Sequence, residues 1–383
     1  MTVLLKGITW NHSRGFVSVV ATAQRFEEMN PGVRIVWEKR SLQEFADAPV
    51  QRLAENYDLL IIDHPWAGFA VDKGVFVPLE QHLSAEFLAD QAANSVGKSH
   101  ESYNFDGRQT ALAVDAATPV ASYRADLLER AGAGVPETWD DLLALARRGV
   151  VAFPAIPIDT LMNFYMMCCS QGEEPFQSED VVVSREMGLQ ALEQLRELAS
   201  LCTREIFDWN PIKVYEAMAG GDKLAYCPFA YGYSNYSRPG YAANVIRFTD
   251  MVSIGSYGRL RSTLGGTGLA ISSKCAHLET ALKYAEYTAS PLCQRTVYFE
   301  NGGQPGHRQA WLDEEVNRRS NNYFKDTLPA LDRAYLRPRY SGYMHFQDNA
   351  GAPIREYLMN GGDPGRVLDQ LNELYRESKR MTD

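Results

Sequence analysis

Up to Asp63 the chain alternates short apolar strands with helical periods, and that order restricts its fold more than any other feature. Val3 to Trp10 reads as a strand. Phe16, Val19, Val20, Ala23 and Phe26 then recur at helical spacing, and Pro31-Gly32 stops that helix. Val33, Ile35 and Trp37 alternate with Arg34, Val36 and Glu38, as a strand does. Ser41 caps a second helix that runs through Phe45 to Leu53 and is interrupted at Pro49. Asp58-Leu59-Leu60-Ile61-Ile62-Asp63 is a continuous apolar run, the pattern of a strand buried on both faces. The β-α-β-α-β order predicts a parallel sheet with helices on both faces.

Open α/β sheets bind ligands beyond the carboxyl ends of their strands. Three segments fall there: Trp10 to Arg14, Lys39 to Ser41, and Asp63-His64-Pro65-Trp66. They nominate Trp10, His12, Arg14, Arg40, Asp63, His64 and Trp66 as ligand contacts. Sugar rings stack their C–H faces on aromatic planes, and their hydroxyls need carboxylates, amides and Arg. His12 and His64 suit hydrogen bonding to a ligand, against the bland alternative of satisfied structural histidines. Arg14 and Arg40 suit a carboxylate or phosphate, against that of a solvated arginine.

At 383 residues the chain is long enough for two compact domains. A hydrophobic share of 45% with 22% charged residues indicates a folded globular protein. The formal net charge of -10 argues against nucleic acid or an anionic membrane as partner. No run approaches the roughly 20 apolar residues of a membrane span. The six cysteines, Cys168, Cys169, Cys202, Cys227, Cys275 and Cys293, contain no C-x-x-C pair and predict no disulfides. The start, Met1 to Gly7, lacks the basic and apolar regions of a secretory leader. The expectation is therefore either a leader already removed or a cytoplasmic protein.

Further along, two short apolar runs meet at Ala111 to Pro119, and they include Asp115. Helices are expected at Tyr123 to Leu128, after Thr138 as cap, and at Leu161 to Cys169, Met187 to Leu201 and Val214 to Ala219. Asp159 stands just before one of them, so capping competes with ligand binding. Tyr226 to Tyr236 is rich in aromatic residues. Gly232, Ser234 and Asn235 interrupt it, which favours a cleft loop carrying Tyr231 and Tyr233 over an aromatic core strand. Gly265-Gly266-Thr267-Gly268 leads into the apolar run Leu269 to Ile271 rather than opening a helix. A dinucleotide fingerprint is thereby excluded, and Gly265 and Gly266 allow backbone to approach a ligand or simply turn.

In order, Ala23 to Val33, Asp58 to Asp63, Tyr123 to Leu128, Pro136 to Leu142, Gly265 to Ile271, Ala281 to Pro291 and Gly302-Gly303-Gln304-Pro305 form a series of short patterns. Together they resemble family 1 of the extracellular solute-binding proteins, which includes maltose-type binding proteins. The resemblance implies an α/β, two-lobed periplasmic-binding-protein-like fold (type II), with hinge-linked lobes and a ligand cleft between them. It implies an N-terminal lobe of residues 1–115 plus about 262–310. The C-terminal lobe would be about 116–261 plus 311–383. It further implies a periplasmic location, a small-molecule ligand, and membrane subunits of an ABC transporter as partners if the protein is exported.

No G-x-x-x-x-G-K-[ST], H-E-x-x-H or G-x-S-x-G motif occurs, which disfavours ATP hydrolysis, zinc proteolysis and α/β-hydrolase chemistry. The seven histidines are scattered, so no metal and no cofactor are expected. The reading is a monomeric binder without chemistry that closes on a small polar ligand. A carbohydrate is favoured, with an organic acid as the second option. Two alternatives stand beside it: an enzyme on the same fold, with Asp63, His64 and Asp159 as acid and base, and a cytoplasmic metabolite sensor.

Overall fold

The computed structural model describes residues 2–41 and 50–381. The chain divides into two units. Unit 1 comprises Met1–Ala117, Gly265–Arg318 and Arg339–Ser341; unit 2 comprises Thr118–Leu264, Arg319–Pro338 and Gly342–Asp383. The expected lobe limits therefore need correction in the last third, where 311–318 and 339–341 belong to unit 1 and not to unit 2. The short return has a physical basis. The Arg339 guanidinium donates to the backbone oxygens of Glu101, Ser102 and Asn104, the carbonyls around a helix end. The Arg339 carbonyl also lies against Gly68, in space that any Cβ would occupy.

Unit 1 is built on one sheet, formed by β1 (Val3–Trp10), β2 (Val33–Arg40), β3 (Leu59–Ile62), β6 (Leu112–Ala117) and β10 (Gly265–Ile271). A two-residue ribbon, β4 (Asn104–Phe105) with β5 (Arg108–Gln109), stands apart from it. The order is β2-β1-β3-β10-β6. β1 runs parallel to both β2 and β3, whereas β10 is antiparallel to β3 and to β6. The three strands of the β-α-β-α-β order are parallel as expected, and the later strand β10 makes the sheet mixed. β10 follows directly on unit 2, without the crossover helix that a parallel return requires.

β3 shows why its sequence is apolar throughout. Leu59 and Ile61 face a core containing Leu5, Val19, Phe26, Leu112, Leu269 and Tyr284. Leu60 and Ile62 face the opposite core, with Ile8, Tyr103 and Ala270. Each such side chain contributes roughly 1.5–3 kcal/mol by leaving water. Helix Ser18–Met29 buries Val19, Ala23 and Phe26 on one stripe and ties Thr22 to the Tyr284 hydroxyl at 2.9 Å. The second helix expected from Ser41 falls largely outside the described residues; helix Val50–Ala54 buries Val50 and Ala54 in the Ile8 core.

Unit 2 has a small antiparallel sheet in which β7 (Pro119–Tyr123) lies between β8 (Tyr226–Tyr231) and β9 (Arg247–Thr249). Helices Pro157–Ser170, Arg185–Ser200, Tyr343–Asn360 and Pro364–Arg380 pack into its helical layer. Thr138 caps helix Trp139–Ala146 in a reciprocal box with Asp141.

Gly266 has φ +92°, and a Cβ there would run into the Asp115 carbonyl and the Ala116 Cα of the neighbouring strand. Gly32 has φ +93° but open space around it. Gly32→Ala should therefore lose only backbone strain, about 1–2 kcal/mol. Gly266→Ala should lose clearly more, because β10 must move off β6. Urea unfolding of both variants beside the parent protein measures the difference.

Candidate functional site

Three loops meet at one edge of unit 1 because β1, β2 and β3 are parallel. Trp10 at the end of β1 pairs with Arg40 at the end of β2, and the Asn11 amide donates to the Arg40 carbonyl at 2.7 Å. From Trp10 the chain enters a π-helical turn, Ser13–Val17. Its cap is His12, whose Nδ1 accepts the Arg14 amide at 3.0 Å. That bond fixes the neutral ring with its proton on Nε2. Burial, then the Arg14 charge, holds His12 down at about 4, so the ring is neutral near pH 7. The Trp10 ring lies flat on Gly15, where a Cβ would collide with it. At 3% exposure Trp10 belongs to the core, and it supports this loop from beneath instead of offering an open stacking face.

Arg14 reaches Asp115 at the end of β6. Its Nε donates to Oδ2 at 2.8 Å and its Nη2 to Oδ1 at 2.5 Å, with both residues buried. Burial pushes the Asp115 carboxyl upward, while the Arg14 guanidinium and the Thr267 backbone oppose that shift. The two-pronged geometry is that of an ion pair. Next to it, Gln304 donates to the Ala116 carbonyl at 2.8 Å, and the Ala116 amide donates back to the Gln304 carbonyl at 3.2 Å. Gln304 and Thr267 hold this corner, yet neither was nominated from the sequence. Their sequence signal is their place in the Gly-Gly-Gln-Pro and Gly-Gly-Thr-Gly patterns, beside the glycines.

At the end of β3, Asp63 caps the single turn His64–Trp66 and accepts the His64 amide at 2.8 Å. The His64 Nδ1 lies 3.2 Å from the same carboxylate, and its ring, fully buried, meets Tyr103 edge-on. Trp66 is half-buried, edge-to-face with Phe69. Arg40 is also partly exposed. Gly265 and Gly266 lie within β10, opposite Ala117 and Ala116, rather than ahead of the strand.

In unit 2 the aromatic segment is a strand followed by a short turn, Ser234–Ser237, and not a cleft loop. Tyr226, Phe229 and Tyr236 are core residues, and Tyr233 packs on Tyr215. Aromatic side chains on a strand serve a core as readily as a cleft, and Gly232 interrupts the run because the Tyr323 ring lies against it. Tyr231 is partly exposed, with its hydroxyl 2.8 Å from Thr263 Oγ1. Asp159 stands in the first turn of helix Pro157–Ser170 but does not cap it; the cap position is Ile156. Its Oδ2 is buried without a hydrogen bond, and burial pushes the carboxyl up to about 8. Among the described residues, no three His, Cys, Asp or Glu side chains group as a metal site.

Residues 21–305 match the family profile of the bacterial extracellular solute-binding proteins. The chain belongs to that family. Solved structures agree on the fold. Thermotoga maritima MalE3 bound to maltose matches with a TM-score of 0.81 at 16% identity, covering 99% of this chain and 100% of that one. An ABC transporter solute-binding protein from Thermotoga lettingae, bound with alpha-D-tagatose, matches at 0.82 and 18%, covering 98% and 100%. One from Agrobacterium radiobacter K84, in complex with ribitol, matches at 0.81 and 18%, covering 98% of each chain.

The corner of this solute-binding protein around Arg14 should be fragile. Arg14→Ala leaves the Asp115 carboxylate buried without its partner, so a loss of about 3–5 kcal/mol is expected in urea unfolding.

Two groups with opposite signs contribute to its pH dependence. Asp159 is raised from 3.8 to about 8, so between those values the native state keeps a proton that the unfolded state has lost. That makes stability fall with rising pH, by about 1.4 kcal/mol per pH unit at most. His12 is lowered from 6.5 to about 4, so between those values the unfolded state holds the extra proton and stability rises with pH. The two offset each other below pH 6.5, which leaves the Asp159 fall visible from there to about pH 8. In Asp159→Asn that fall should vanish in denaturant titrations across this range.

Proposed function

We propose that this chain is the binding component of an ABC-type importer and takes up a small carbohydrate or polyol outside the cytoplasm without altering it. One observation carries the ligand class. Arg14, the buried cation at the strand ends, is held by both oxygens of Asp115 and so is already neutralised within the protein. Arg14 could answer a carboxylate ligand only if that pair broke. A hydroxylated ligand needs only hydrogen-bonding groups and an aromatic face. The neutral His12 ring and the half-buried Trp66 supply these. Solved proteins of the same fold hold maltose, ribitol and tagatose.

In this reading His12, Arg40, Asp63, His64, Trp66, Asp159 and Tyr231 meet the ligand. Trp10, Arg14, Asp115, Tyr233, Gly265 and Gly266 shape the surfaces that present them. The two units close on the ligand as rigid bodies joined by the chain crossings. A second reading, an enzyme on this fold, draws on the 3.2 Å contact between Asp63 and His64, which is the spacing of an acid–base pair.

A thermal-shift panel of sugars and polyols, followed by calorimetry on each stabilising compound, tests the proposal. Trp66→Ala should weaken binding by roughly 1 kcal/mol, about fivefold, as a stacking surface is lost. The radius of gyration from solution scattering should fall at saturating ligand, and an unchanged profile would refute closure. NMR of the recovered ligand should show it intact. A product that forms with the parent protein and disappears with His64→Ala would establish the enzyme instead.

A further inference from the structure

Asp159 is a buried acid that the protein itself leaves unanswered. It is 5% exposed, and its Oδ2 accepts no hydrogen bond. A carboxyl in the first turn of a helix ordinarily folds back onto an amide. Here Pro157 removes the first amide, and no side-chain cap forms.

Donors on the adjoining elements are directed elsewhere. The Asn163 amide, one turn along, donates to the Pro154 carbonyl at 3.2 Å. The Thr160 hydroxyl faces the carbonyls of Pro157 and Gly351. Arg355 of helix Tyr343–Asn360 lines a groove with Pro157 and Glu356, but its guanidinium is bound to the Phe207 carbonyl and the Asp208 carboxylate. From β8 the titratable neighbour is Cys227, whose thiol burial pushes upward and which brings no positive charge. A buried acid without a donor is costly to a fold. Retaining one in a binding protein is explained when the partner arrives with the ligand.

The kind of partner follows from the charge. A ligand hydroxyl offers a hydrogen bond but leaves any charge on the acid buried and unpaired. A protonated amine offers both the donor and the counter-charge. We propose that Asp159 selects a hydroxylated ligand bearing a protonated nitrogen, an amino sugar or amino polyol, and gives up its own proton when that ligand binds. The inference rests on the polyol reading above and narrows it. The proton balance is simple: the carboxyl O–H bond breaks, the proton passes to the buffer, and a ligand N–H donates to the carboxylate that remains. Burial keeps that proton on Asp159 in the free protein at neutral pH.

Calorimetry with matched pairs decides the matter: glucamine against sorbitol, and glucosamine against glucose, each in phosphate and in Tris at neutral pH. The amine of a pair should bind roughly tenfold or more tightly than its neutral counterpart, the usual gain of a charge-assisted hydrogen bond. For glucamine, the difference in apparent enthalpy between the two buffers should report release of close to one proton. Asp159→Asn, nearly identical in shape and without the acid, should lose the amine preference and the proton release. Equal or tighter binding of the neutral member by the parent protein would overturn the inference and leave the polyol reading standing, as would an amine preference that survives in Asp159→Asn. Binding by no member of either pair, with no response across the wider polyol panel, would overturn the polyol reading and the inference together.

Discussion

The geometry of unit 1 at its strand ends depends on the ion pair between Arg14 and Asp115. In the sheet order, β3 and β10 lie between β1, whose following turn carries Arg14, and β6, which carries Asp115. The pair therefore ties the loop after the first strand to the far strand, over two intervening ones. Burying two charges is costly unless their geometry is good and their remaining polar atoms are satisfied. Here the guanidinium meets both carboxylate oxygens, and the Thr267 backbone adds a further hydrogen bond to Asp115. Asp115 stands two residues before the chain leaves unit 1 at Ala117, and Thr267 two residues after it returns at Gly265. The same contact thus fixes both strand ends at which the chain leaves and re-enters unit 1.

Electrostatic consequences spread from that pair. Arg14 is the cap partner of His12 through its amide and the repelling charge through its guanidinium. One residue therefore sets both the tautomer and the charge of the histidine beside it. With Asp115 cancelling Arg14 and His12 neutral, this corner presents hydrogen-bonding groups with little net charge. Such a surface suits ligands recognised by hydroxyls.

The parallel part of unit 1 was legible because each element carries its own period. Leu59 to Ile62 could only be a strand covered on both faces, and Trp10, Arg40 and Asp63 necessarily end on the same edge of a parallel sheet. The direction of β10 was not legible, since Leu269 to Ile271 looks the same whichever way it runs. The aromatic run from Tyr226 to Tyr236 misled for a related reason. A pleated strand and a ligand wall both favour tyrosine, and Gly232 marks a close approach of Tyr323, a residue far away in sequence. Trp10 belongs to the same class: its ring packs on Gly15, five positions on, inside a π-helical turn that no periodicity announces.

Asp115 and Asp159 show where reading a chain must give way to its geometry. Each sits among apolar residues, each is buried, and each has its carboxyl pushed upward by loss of water. Their sequence surroundings offer no distinction. In space Asp115 has a guanidinium from a residue 101 positions away, whereas Asp159 has neighbours whose donors point to other acceptors. The first acid is answered by the fold, so folding accounts for it. The second is not, and a fold gains nothing from an unanswered acid in its interior. On the proposal above, a residue that destabilises the free protein is retained for what it meets when the protein is occupied, and Asp159, rather than the better-connected Asp115, is the acid that bears on ligand choice.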